Sequence, residues 1–435
     1  MKIGVIGTGY VGAVSGACFA KFGHTVICGD TNAEKIEALK AGKIPIYEPG
    51  LDIIVMENVK AGRLKFTTDT KEVVTGADAV FIAVGTPTSR RGDGFADLKY
   101  VKQAAKDIAK HLTQYTVIVN KSTVPVGTAD LVKKIIKETN PKAKFDVASN
   151  PEFLREGAAI RDFEFPDKIV LGTSSARATE ILKSIYQALS RSEMPFVITN
   201  PVTAELIKYA NNSFLAVKIS FINEMANLCE VVGADVITLG RAIGMDGRIA
   251  KSFLHPGPGW GGSCFPKDVD ALIAIAKEKG VQLRIVEAAK ETNRDQRIRM
   301  INKIRKVCGG SVRGKTIGVL GLAFKQDTDD MREAAALIII PALIEDGAEV
   351  IAFDPQAMEV SKTLIPDASY VENEYEACKG VDAVVVLTEW NQFGGLNLKK
   401  MKRLMRGNGL ADLRNIYDPE VAKKIGFNYT GVGRG

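Results

Sequence analysis

One cysteine lies in a setting suited to covalent catalysis. Cys264 follows a loop that starts at His255 and contains four glycines and two prolines, and Phe265 and Pro266 come directly after it. Because proline is favoured at the first position of a helix, we expect a helix to begin at Pro266, with Cys264 at its N-terminus. The partial positive charge of that helix end, together with Lys267, favours a thiolate. The pattern predicts a nucleophilic thiol.

The other five cysteines, Cys18, Cys28, Cys229, Cys308 and Cys378, lie in strand or helix patterns and are interpreted as buried side chains. Six cysteines without a C-x-x-C pair, in a chain of 435 residues, indicate neither a metal site nor a disulfide framework. We therefore expect no metal ion and a location in the reducing cytoplasm.

Acid–base chemistry has few histidine candidates, because the chain contains only three. On a long predicted helix, Lys208 and Asn212 are one turn apart and so lie on one face. A lysine and an amide in that arrangement can hold an oxyanion or an ordered water. A solvated helix face is the other interpretation, since most helix lysines are exposed.

The first residues carry a glycine pattern typical of dinucleotide binding. Gly7, Gly9 and Gly12 form G-x-G-x-x-G between the predicted strand Lys2–Ile6 and a helix. The glycines allow a tight turn, a close approach of backbone to pyrophosphate, and close packing of helix on strand. Asp30, at the end of the second predicted strand, can accept hydrogen bonds from a ribose 2′-hydroxyl, which favours NAD over NADP. The alternative is an ordinary turn in which Asp30 caps a helix.

Three further candidates follow predicted strands, where open α/β sheets bind their ligands. They are Thr86, Thr123 and Glu152. Capping of the next helix is the alternative role for each of them. For Thr86 the sequence favours neither interpretation, because threonine commonly caps helices.

The elements that must position these residues alternate in type along the chain. Short β-branched runs alternate with helical patterns up to about residue 200, long helices follow, and the alternation resumes at Lys315. We predict an α/β fold with two Rossmann-like, doubly wound domains joined by a long central helical connector. The predicted domains are an NAD-binding domain at 1–200, a central helical region with the cysteine loop at 201–308, and a C-terminal α/β domain at 309–435. The predicted strands are Lys2–Ile6, Thr25–Cys28, Ala79–Val84, Thr116–Val119, Ile169–Leu171, Thr316–Leu320, Glu349–Phe353 and Ala383–Leu387. The predicted central helices are Val202–Val232, Asp235–Ile243, Pro266–Lys279 and Arg284–Val307.

Composition argues against two classes of partner. The chain has 58 lysine and arginine residues and 51 acidic ones, interleaved along the sequence, so its net charge of +7 does not predict a nucleic-acid partner. Glycines interrupt the apolar N-terminal run, which argues against a signal peptide. The apolar stretch Ala334–Ile344 is far shorter than the roughly 20 residues of a membrane span. We therefore expect no membrane segment.

Six segments, in order along nearly the whole chain, share motifs with a known family. They are Gly7–Gly12, Lys121–Val126, Asn150–Gly157, Glu205–Leu215, Gly261–Asp268 and Gly321–Lys325. Together they resemble the UDP-glucose 6-dehydrogenase branch of the UDP-glucose/GDP-mannose dehydrogenase family. The resemblance implies that two NAD oxidise the C6 alcohol of UDP-glucose to the carboxylate of UDP-glucuronate. It also implies a homodimer or higher homo-oligomer with the central helix at the interface, and a C-terminal domain that binds the UDP-sugar.

The resemblance also implies roles for single residues. Cys264 would capture the aldehyde as a thiohemiacetal, whose oxidation gives a thioester that water hydrolyses. Lys208 and Asn212 would stabilise the oxyanion. Glu152, with a water near Thr123, would act in acid–base catalysis, and Asp268 would help to activate water. The implied cofactor contacts are Gly7, Gly9, Tyr10, Val11, Gly12, Asp30, Lys35, Thr86, Thr123, Glu156, Lys267 and Arg332. The implied substrate contacts are Glu152, Phe153, Leu154, Lys208, Asn212, Arg248, Trp260, Gly261, Phe324, Lys325 and Arg414, with Arg248 reaching across the dimer.

Three alternative functions stay open on the sequence. UDP-N-acetylmannosamine and GDP-mannose 6-dehydrogenases share the fold and the cysteine, although Lys208, Asn212 and Phe265 favour UDP-glucose. A two-electron dehydrogenase of the hydroxyacid type would need no equivalent of Cys264. A non-catalytic NAD-binding sensor is the third, because a fold alone does not establish activity.

Overall fold

The structure is a computed structural model that describes residues 1–89, 92, 94–192 and 195–434. The chain divides into two compact units, the first formed by Met1–Asn211 and Asp270–Val281 and the second by Asn212–Val269 and Gln282–Gly435. Within the described residues, no helix combines the length and the apolar character needed to cross a bilayer.

The first unit is built on an eight-stranded sheet. Its strands are β1 (Lys2–Ile6), β2 (Thr25–Gly29), β3 (Leu64–Thr67), β4 (Ala79–Ile82), β5 (Thr116–Asn120), β6 (Phe145–Ser149), β7 (Ile169–Gly172) and β8 (Phe196–Thr199). They lie in the order β3-β2-β1-β4-β5-β6-β7-β8. The first six are parallel, β7 is antiparallel to β6, and β8 is parallel to β7. The order of the six parallel strands is that of dinucleotide-binding folds.

Helices cover both faces of this sheet, which explains the apolar runs of its strands. In β4, Ala79 and Phe81 pack into one core, whereas Val80 and Ile82 pack into the other. A strand buried on both faces reads as continuous apolar sequence. The helices are α1 (Tyr10–Lys21), α2 (Ala33–Lys40), α3 (Leu51–Lys60), α4 (Thr70–Val74), α5 (Lys99–His111), α6 (Thr128–Thr139), α7 (Ala159–Glu164) and α8 (Ala176–Ile185), with a 3-10 helix at Gln187–Ser192.

Four helices occupy the middle of the sequence. They are α9 (Pro201–Val232), α10 (Val236–Gly244), α11 (Phe265–Glu278) and α12 (Arg284–Val307). Two of them, α9 and α11, have residues in both units. Helix α9 contributes Lys208 to the first unit and Asn212 to the second. The long connector predicted from the sequence is therefore present as helix.

The second unit contains a six-stranded parallel sheet. Its strands are β9 (Thr316–Leu320), β10 (Glu349–Phe353), β11 (Ser369–Tyr370), β12 (Ala383–Val386), β13 (Gly409–Asp412) and β14 (Asn428–Thr430). Its helices are α13 (Ala336–Glu345), α14 (Met358–Leu364), α15 (Glu374–Ala377), α16 (Asn391–Gly394), α17 (Leu398–Leu404) and α18 (Pro419–Ile425). The order β11-β10-β9-β12-β13-β14 repeats that of the first six strands of the other unit. The predicted pair of doubly wound, Rossmann-like folds is confirmed.

A buried carboxylate follows the second strand of this second fold. Asp354 accepts hydrogen bonds from the backbone N–H groups of Leu322 (2.7 Å) and Ala323 (3.1 Å). The indole N–H of Trp390 donates to the same oxygen at 3.1 Å. Asp354 is buried, and its position corresponds to that of Asp30 after β2.

Candidate active site

The glycine turn of the first unit has room for a ligand on one side only. Gly7 has a φ of +99°, which favours glycine, and a Cβ on Gly12 would lie 1.9 Å from the carbonyl oxygen of Gly7. A Cβ on Gly9, by contrast, would meet no atom within 4 Å. The turn thus packs tightly at Gly7 and Gly12 and is open at Gly9, which fits the approach of a pyrophosphate.

Asp30 is tied to this turn. Its carboxylate accepts hydrogen bonds from the backbone N–H of Thr8 (2.9 Å), the Thr8 hydroxyl (2.8 Å) and Lys35 Nζ (3.2 Å). Burial raises the pKa of Asp30, but these hydrogen bonds and Lys35 outweigh it and hold the pKa below its ordinary value. Helix α2 is capped by Asn32. The capping alternative for Asp30 is therefore wrong, and an ionised carboxylate lies beside the glycine turn.

Tyr10, the first residue of α1, lies close to the loop that contains Glu156, a cofactor contact predicted from the sequence. Its hydroxyl donates to the carboxylate of Glu48, which also accepts from the backbone N–H of Gly157 (2.7 Å) and Ala159 (2.8 Å). Glu156 precedes that glycine and is partly buried. Two other predicted contacts, Val11 and Leu154, pack against the core of the first unit.

Thr86 and Thr123 are joined by a hydrogen bond. The hydroxyl of Thr86 donates to the carbonyl oxygen of Thr123 at 2.8 Å, and both residues are buried. The next helices, α5 and α6, begin well beyond these threonines, so neither residue caps a helix. The hydrogen bond fixes the segments that follow β4 and β5 against each other.

Lys208 and Glu152 form a buried ion pair in the first unit. Lys208 Nζ lies 2.8 Å from Glu152 Oε1, and each side chain is 4% exposed. The other carboxylate oxygen accepts from the N–H of Leu154 at 2.6 Å, and the ring of Phe153 lies 5.5 Å from Lys208 Nζ. Burial raises the pKa of Glu152, but Lys208, the N–H of Leu154 and the charge of Lys121 together outweigh it and lower the pKa below its ordinary value. A solvated helix face is excluded for Lys208.

Glu205, which the sequence did not single out, binds the start of α6 and the end of β6 in the same unit. Its carboxylate accepts from the N–H groups of Gly127 (2.7 Å) and Ala129 (2.9 Å) and from the hydroxyl of Ser149 (3.0 Å). It thereby caps α6 from α9, one turn before Lys208. Burial raises its pKa. The available signal was its position three residues before Lys208 on one helix face.

Lys121 is a second residue that sequence reasoning missed. It is buried, with Nζ 3.0 Å from Asn150 Oδ1 and 3.3 Å from the hydroxyl of Tyr186. Burial lowers its pKa to about 8, against a raising effect of Glu152 and a further lowering by Lys208. A lysine in an apolar strand pattern was the available signal, since lysine is almost never fully buried without a partner.

Lys121 should make stability depend on pH above neutrality. Between about pH 8 and pH 10.5 the unfolded chain retains a proton that folded Lys121 has released, so folding becomes more favourable as the pH rises. We expect the free energy of unfolding of the wild type, measured relative to that of Lys121→Met, to increase by about 3 kcal/mol across this pH window. Urea unfolding at several pH values measures the difference. Parallel pH profiles would contradict it.

In the second unit, Cys264 lies directly before α11. Its carbonyl oxygen accepts from the N–H of Asp268 at 3.0 Å, and the Ser263 hydroxyl lies 3.4 Å from its sulfur. The helix begins at Phe265, so Pro266 occupies the second helical position rather than the first. The partly exposed thiol therefore lies at a helix N-terminus.

Asp268 is the buried polar centre next to this cysteine. One carboxylate oxygen accepts from the amide nitrogen of Asn212 at 2.6 Å, and the other from Lys267 Nζ at 2.5 Å. The structure therefore brings together Asn212, Asp268 and Lys267, one turn after Cys264. Within the described part of the chain, no cluster of three or more His, Cys, Asp or Glu side chains suits a metal ion.

The loop before Cys264 is closely packed. A Cβ on Gly261 would lie 2.2 Å from the carbonyl oxygen of Glu333, and one on Gly262 would lie 2.8 Å from the ring of Phe324. Trp260 is buried, and its indole N–H donates to the Ser220 hydroxyl at 3.0 Å. These glycines are needed because other backbone and ring atoms occupy the space of a side chain.

Two more predicted substrate contacts lie beyond the strands of the second sheet. Arg414, after β13, donates to the carbonyl oxygens of Leu387 (2.7 Å) and Phe324 (2.8 Å). Lys325 Nζ lies 5.6 Å from the ring of Phe324. The structure thus groups Arg414, Phe324 and Lys325 at one edge of the sheet, where parallel α/β sheets bind ligands.

Arg332 and Arg248 point largely to solvent. Arg332 pairs with Asp330 at 2.8 Å. Arg248 pairs with Asp246 at 2.6 Å, and its side chain is 90% exposed. The structure does not bring Arg248 together with the other predicted site residues of its unit.

The class of protein to which this fold belongs is that of the NAD-dependent dehydrogenases. Residues 1–190 match the NAD binding domain of the UDP-glucose/GDP-mannose dehydrogenase family, residues 202–295 its central domain and residues 318–419 its UDP binding domain. The chain belongs to this family. The resemblance of the six sequence segments is thereby confirmed.

Individual proteins are similar over the whole chain. A UDP-glucose 6-dehydrogenase of Rhizobium meliloti is 53% identical over 436 residues, covering 100% of both chains. The structure of a UDP-glucose dehydrogenase from Pyrobaculum islandicum is similar with a TM-score of 0.92 and 39% identity, covering 100% of this chain and 98% of that one. A UDP-D-ManNAc dehydrogenase from Pyrococcus horikoshii gives a TM-score of 0.86 at 26% identity, with 100% of both chains covered.

Proposed function

We propose that this chain oxidises the C6 alcohol of UDP-glucose to the carboxylate of UDP-glucuronate, with two NAD reduced for each sugar nucleotide. The observation that carries the proposal is Cys264 at the N-terminus of α11, one turn from the buried Asp268–Asn212 contact. A two-electron dehydrogenase has no use for a thiolate there. The Rhizobium relative supports the choice of sugar nucleotide.

The first oxidation uses the buried ion pair of the first unit. Glu152 is ionised at neutral pH because Lys208 lowers its pKa, so it can accept the hydroxyl proton through a water near Thr123. Lys208 donates to the oxygen as it develops negative charge. Bound NAD supplies the hydride acceptor for both oxidations. The product of this step is the aldehyde.

The second oxidation runs through Cys264. Its thiolate adds to the aldehyde carbon, the carbonyl oxygen becomes the oxyanion of a thiohemiacetal, and Lys208 and Asn212 stabilise that charge. Loss of hydride from the same carbon leaves a thioester. Water, deprotonated with the help of Asp268, then attacks the thioester and releases the carboxylate and the Cys264 thiolate.

The remaining side chains hold the ligands. The glycine turn and Asp30 bind NAD, with Lys35, Thr86, Glu156, Lys267 and Arg332 as further contacts. Lys325, Arg414 and Arg248, the last reaching across the proposed dimer, bind the diphosphate of the sugar nucleotide, since arginine and lysine match phosphate oxygens. The open side of Gly9 and the ionised Asp30 support the choice of NAD.

We also propose three domains with boundaries at 1–200, 201–308 and 309–435, a homodimer or higher homo-oligomer, and a cytoplasmic location. Large apolar side chains on α9 support self-association, since Phe214 is 64% and Val231 is 84% exposed. No disulfide joins the six cysteines, all of which lie in the described part of the chain, and this supports a reducing compartment.

The yield of NADH per sugar nucleotide tests the function. With limiting UDP-glucose and excess NAD, the proposal requires two NADH and UDP-glucuronate. The same assay with UDP-N-acetylmannosamine and GDP-mannose decides among the family's substrates. One NADH per UDP-glucose would reject the four-electron reaction, and a preference for UDP-N-acetylmannosamine would favour the activity of the Pyrococcus relative.

A further inference from the structure

The backbone of the loop before Cys264 is bonded to side chains of a distant helix. Asn293, on α12, accepts from the N–H of Trp260 at 2.7 Å and donates to the carbonyl oxygen of the same residue at 2.9 Å. Gln296 donates to the carbonyl oxygen of Gly257 at 2.9 Å. Both side chains are buried on α12 within the second unit.

Asn293 and Gly259 fit each other closely. Gly259 has a φ of +105°, and a Cβ at that position would lie 2.5 Å from Asn293 Oδ1. A carboxamide that both accepts from and donates to one residue restrains its position and its orientation together, as a pair in a β-ladder does. The paired hydrogen bonds therefore hold the loop four residues before the cysteine.

A buried cation completes the arrangement. Arg297, one turn after Asn293, donates to the carbonyl oxygens of Trp260 (3.0 Å) and Glu333 (2.8 Å). Burial lowers the pKa of Arg297, against the attraction of Glu333. Burying a guanidinium to bind backbone carbonyls is costly, so this side chain gives rigidity to the loop at the expense of global stability.

We propose that Asn293, supported by Gln296 and Arg297, is the positioning residue that fixes the cysteine loop so that Cys264 meets the aldehyde in a reactive geometry. This inference rests on the proposed function, because it assigns a part in the thiohemiacetal step. Asn293 acts through the backbone and contacts neither substrate nor cofactor. Its loss should slow the step at Cys264 more than it weakens binding of the sugar nucleotide.

The substitution Asn293→Ala removes both hydrogen bonds to Trp260. We expect kcat to fall about 100-fold, since a misplacement of about 1 Å can cost that much, with a much smaller change in KM for UDP-glucose. Aldehyde that escapes capture should lower the yield below two NADH per UDP-glucose. The pH profile of Cys264 alkylation by iodoacetamide in the free enzyme should also shift. A control variant on the same helix, Asn302→Ala, alters an exposed side chain and should match the wild type.

A second variant, Asn293→Asp, tests the proposal if Asn293→Ala folds poorly. Asn293→Asp has nearly the same shape and keeps an oxygen for the N–H of Trp260, but it replaces the donor by an oxygen that repels the Trp260 carbonyl, so it should impair the same three quantities. Unchanged kcat, NADH yield and alkylation profile in a folded Asn293→Asp or Asn293→Ala enzyme would overturn the proposal. Failure of the proposed function would appear as a wild-type yield below two NADH per UDP-glucose. Failure of the positioning role would appear as an unchanged alkylation profile in the variants, and this measurement needs no sugar nucleotide.

Discussion

Replacing Cys264 with serine is expected to lower the yield from two NADH per UDP-glucose to at most one and to reduce kcat more than about 1,000-fold. A serine hydroxyl stays protonated at neutral pH, and no histidine base lies next to it in the helix-start segment Ser263–Asp268. Removal of a covalent nucleophile costs several powers of ten in other enzymes. Spectrophotometric NADH counts with limiting UDP-glucose, together with mass spectrometry for a thioester, measure both effects.

Cys308→Ser is the matched control for this prediction. Cys308 is also partly exposed, but it lies at the C-terminal end of α12, and burial raises the pKa of its thiol to about 11. It should retain two NADH per UDP-glucose. An unchanged yield in Cys264→Ser would mean that the thiol is structural and that the proposed covalent route is incorrect.

Lys208→Met is expected to damage both activity and stability. Loss of an oxyanion donor should lower kcat about 100- to 1,000-fold. The substitution also leaves Glu152 as a buried charge without its ion-pair partner, which should cost about 3–5 kcal/mol of unfolding free energy. Turnover assays and urea unfolding at pH 7 measure the two effects separately.

The double variant Lys208→Met/Glu152→Gln separates these contributions. Removing both charges should restore much of the stability, since paired replacement of a buried ion pair is often close to neutral. Activity should stay low. Lys134→Met, at an exposed lysine that faces Glu138 on α6, is the control and should change neither quantity. Stability in Lys208→Met equal to the wild type would contradict the buried ion pair.

The sequence predicted several of the central strands, because burial on both faces leaves an apolar run, but it missed the interior strands β6 and β13, whose sequences include aspartate, serine or glycine. β4 and β12 were identified on that basis, each with its last residue slightly misplaced. The four edge strands β3, β8, β11 and β14 were missed as well; the three residues of β14, Asn428–Thr430, for example, lack an apolar pattern. Edge strands bury less surface, so their sequences are less constrained.

Burial on α9 could not be derived from residue type. Lys208 and Glu205 are buried on this helix, whereas Leu206 and Phe214 are exposed. The usual rule that apolar faces point inward holds only in part here, because the buried face carries polar site residues beside apolar ones such as Ile222, and large apolar side chains are also exposed. The spacing of Lys208 and Asn212 on one helix face left a site and a solvated face as alternatives, and only the motif resemblance favoured the site.

Asn293 lacked any local signal. It is a polar residue in a polar helix, and its partner Trp260 is 33 residues earlier in the sequence. Contacts between distant segments depend on tertiary packing, which spacing within one helix does not encode. The loop was recognised from its glycines, but the side chains that hold it were not.

The carboxylate of Asp354 shows how one chain can carry the same strand order twice without two competing cofactor sites. Asp30 is partly exposed and held in part by the long, flexible side chain of Lys35, whose amine a ribose hydroxyl can replace. Asp354 is bonded to the indole of Trp390, which is packed into a core. In the proposed NAD site an adenosine ribose would bind the partly exposed Asp30, whereas Asp354 is buried and hydrogen-bonded to Trp390. The duplicated fold thus keeps its shape in both copies and its dinucleotide selectivity in only one.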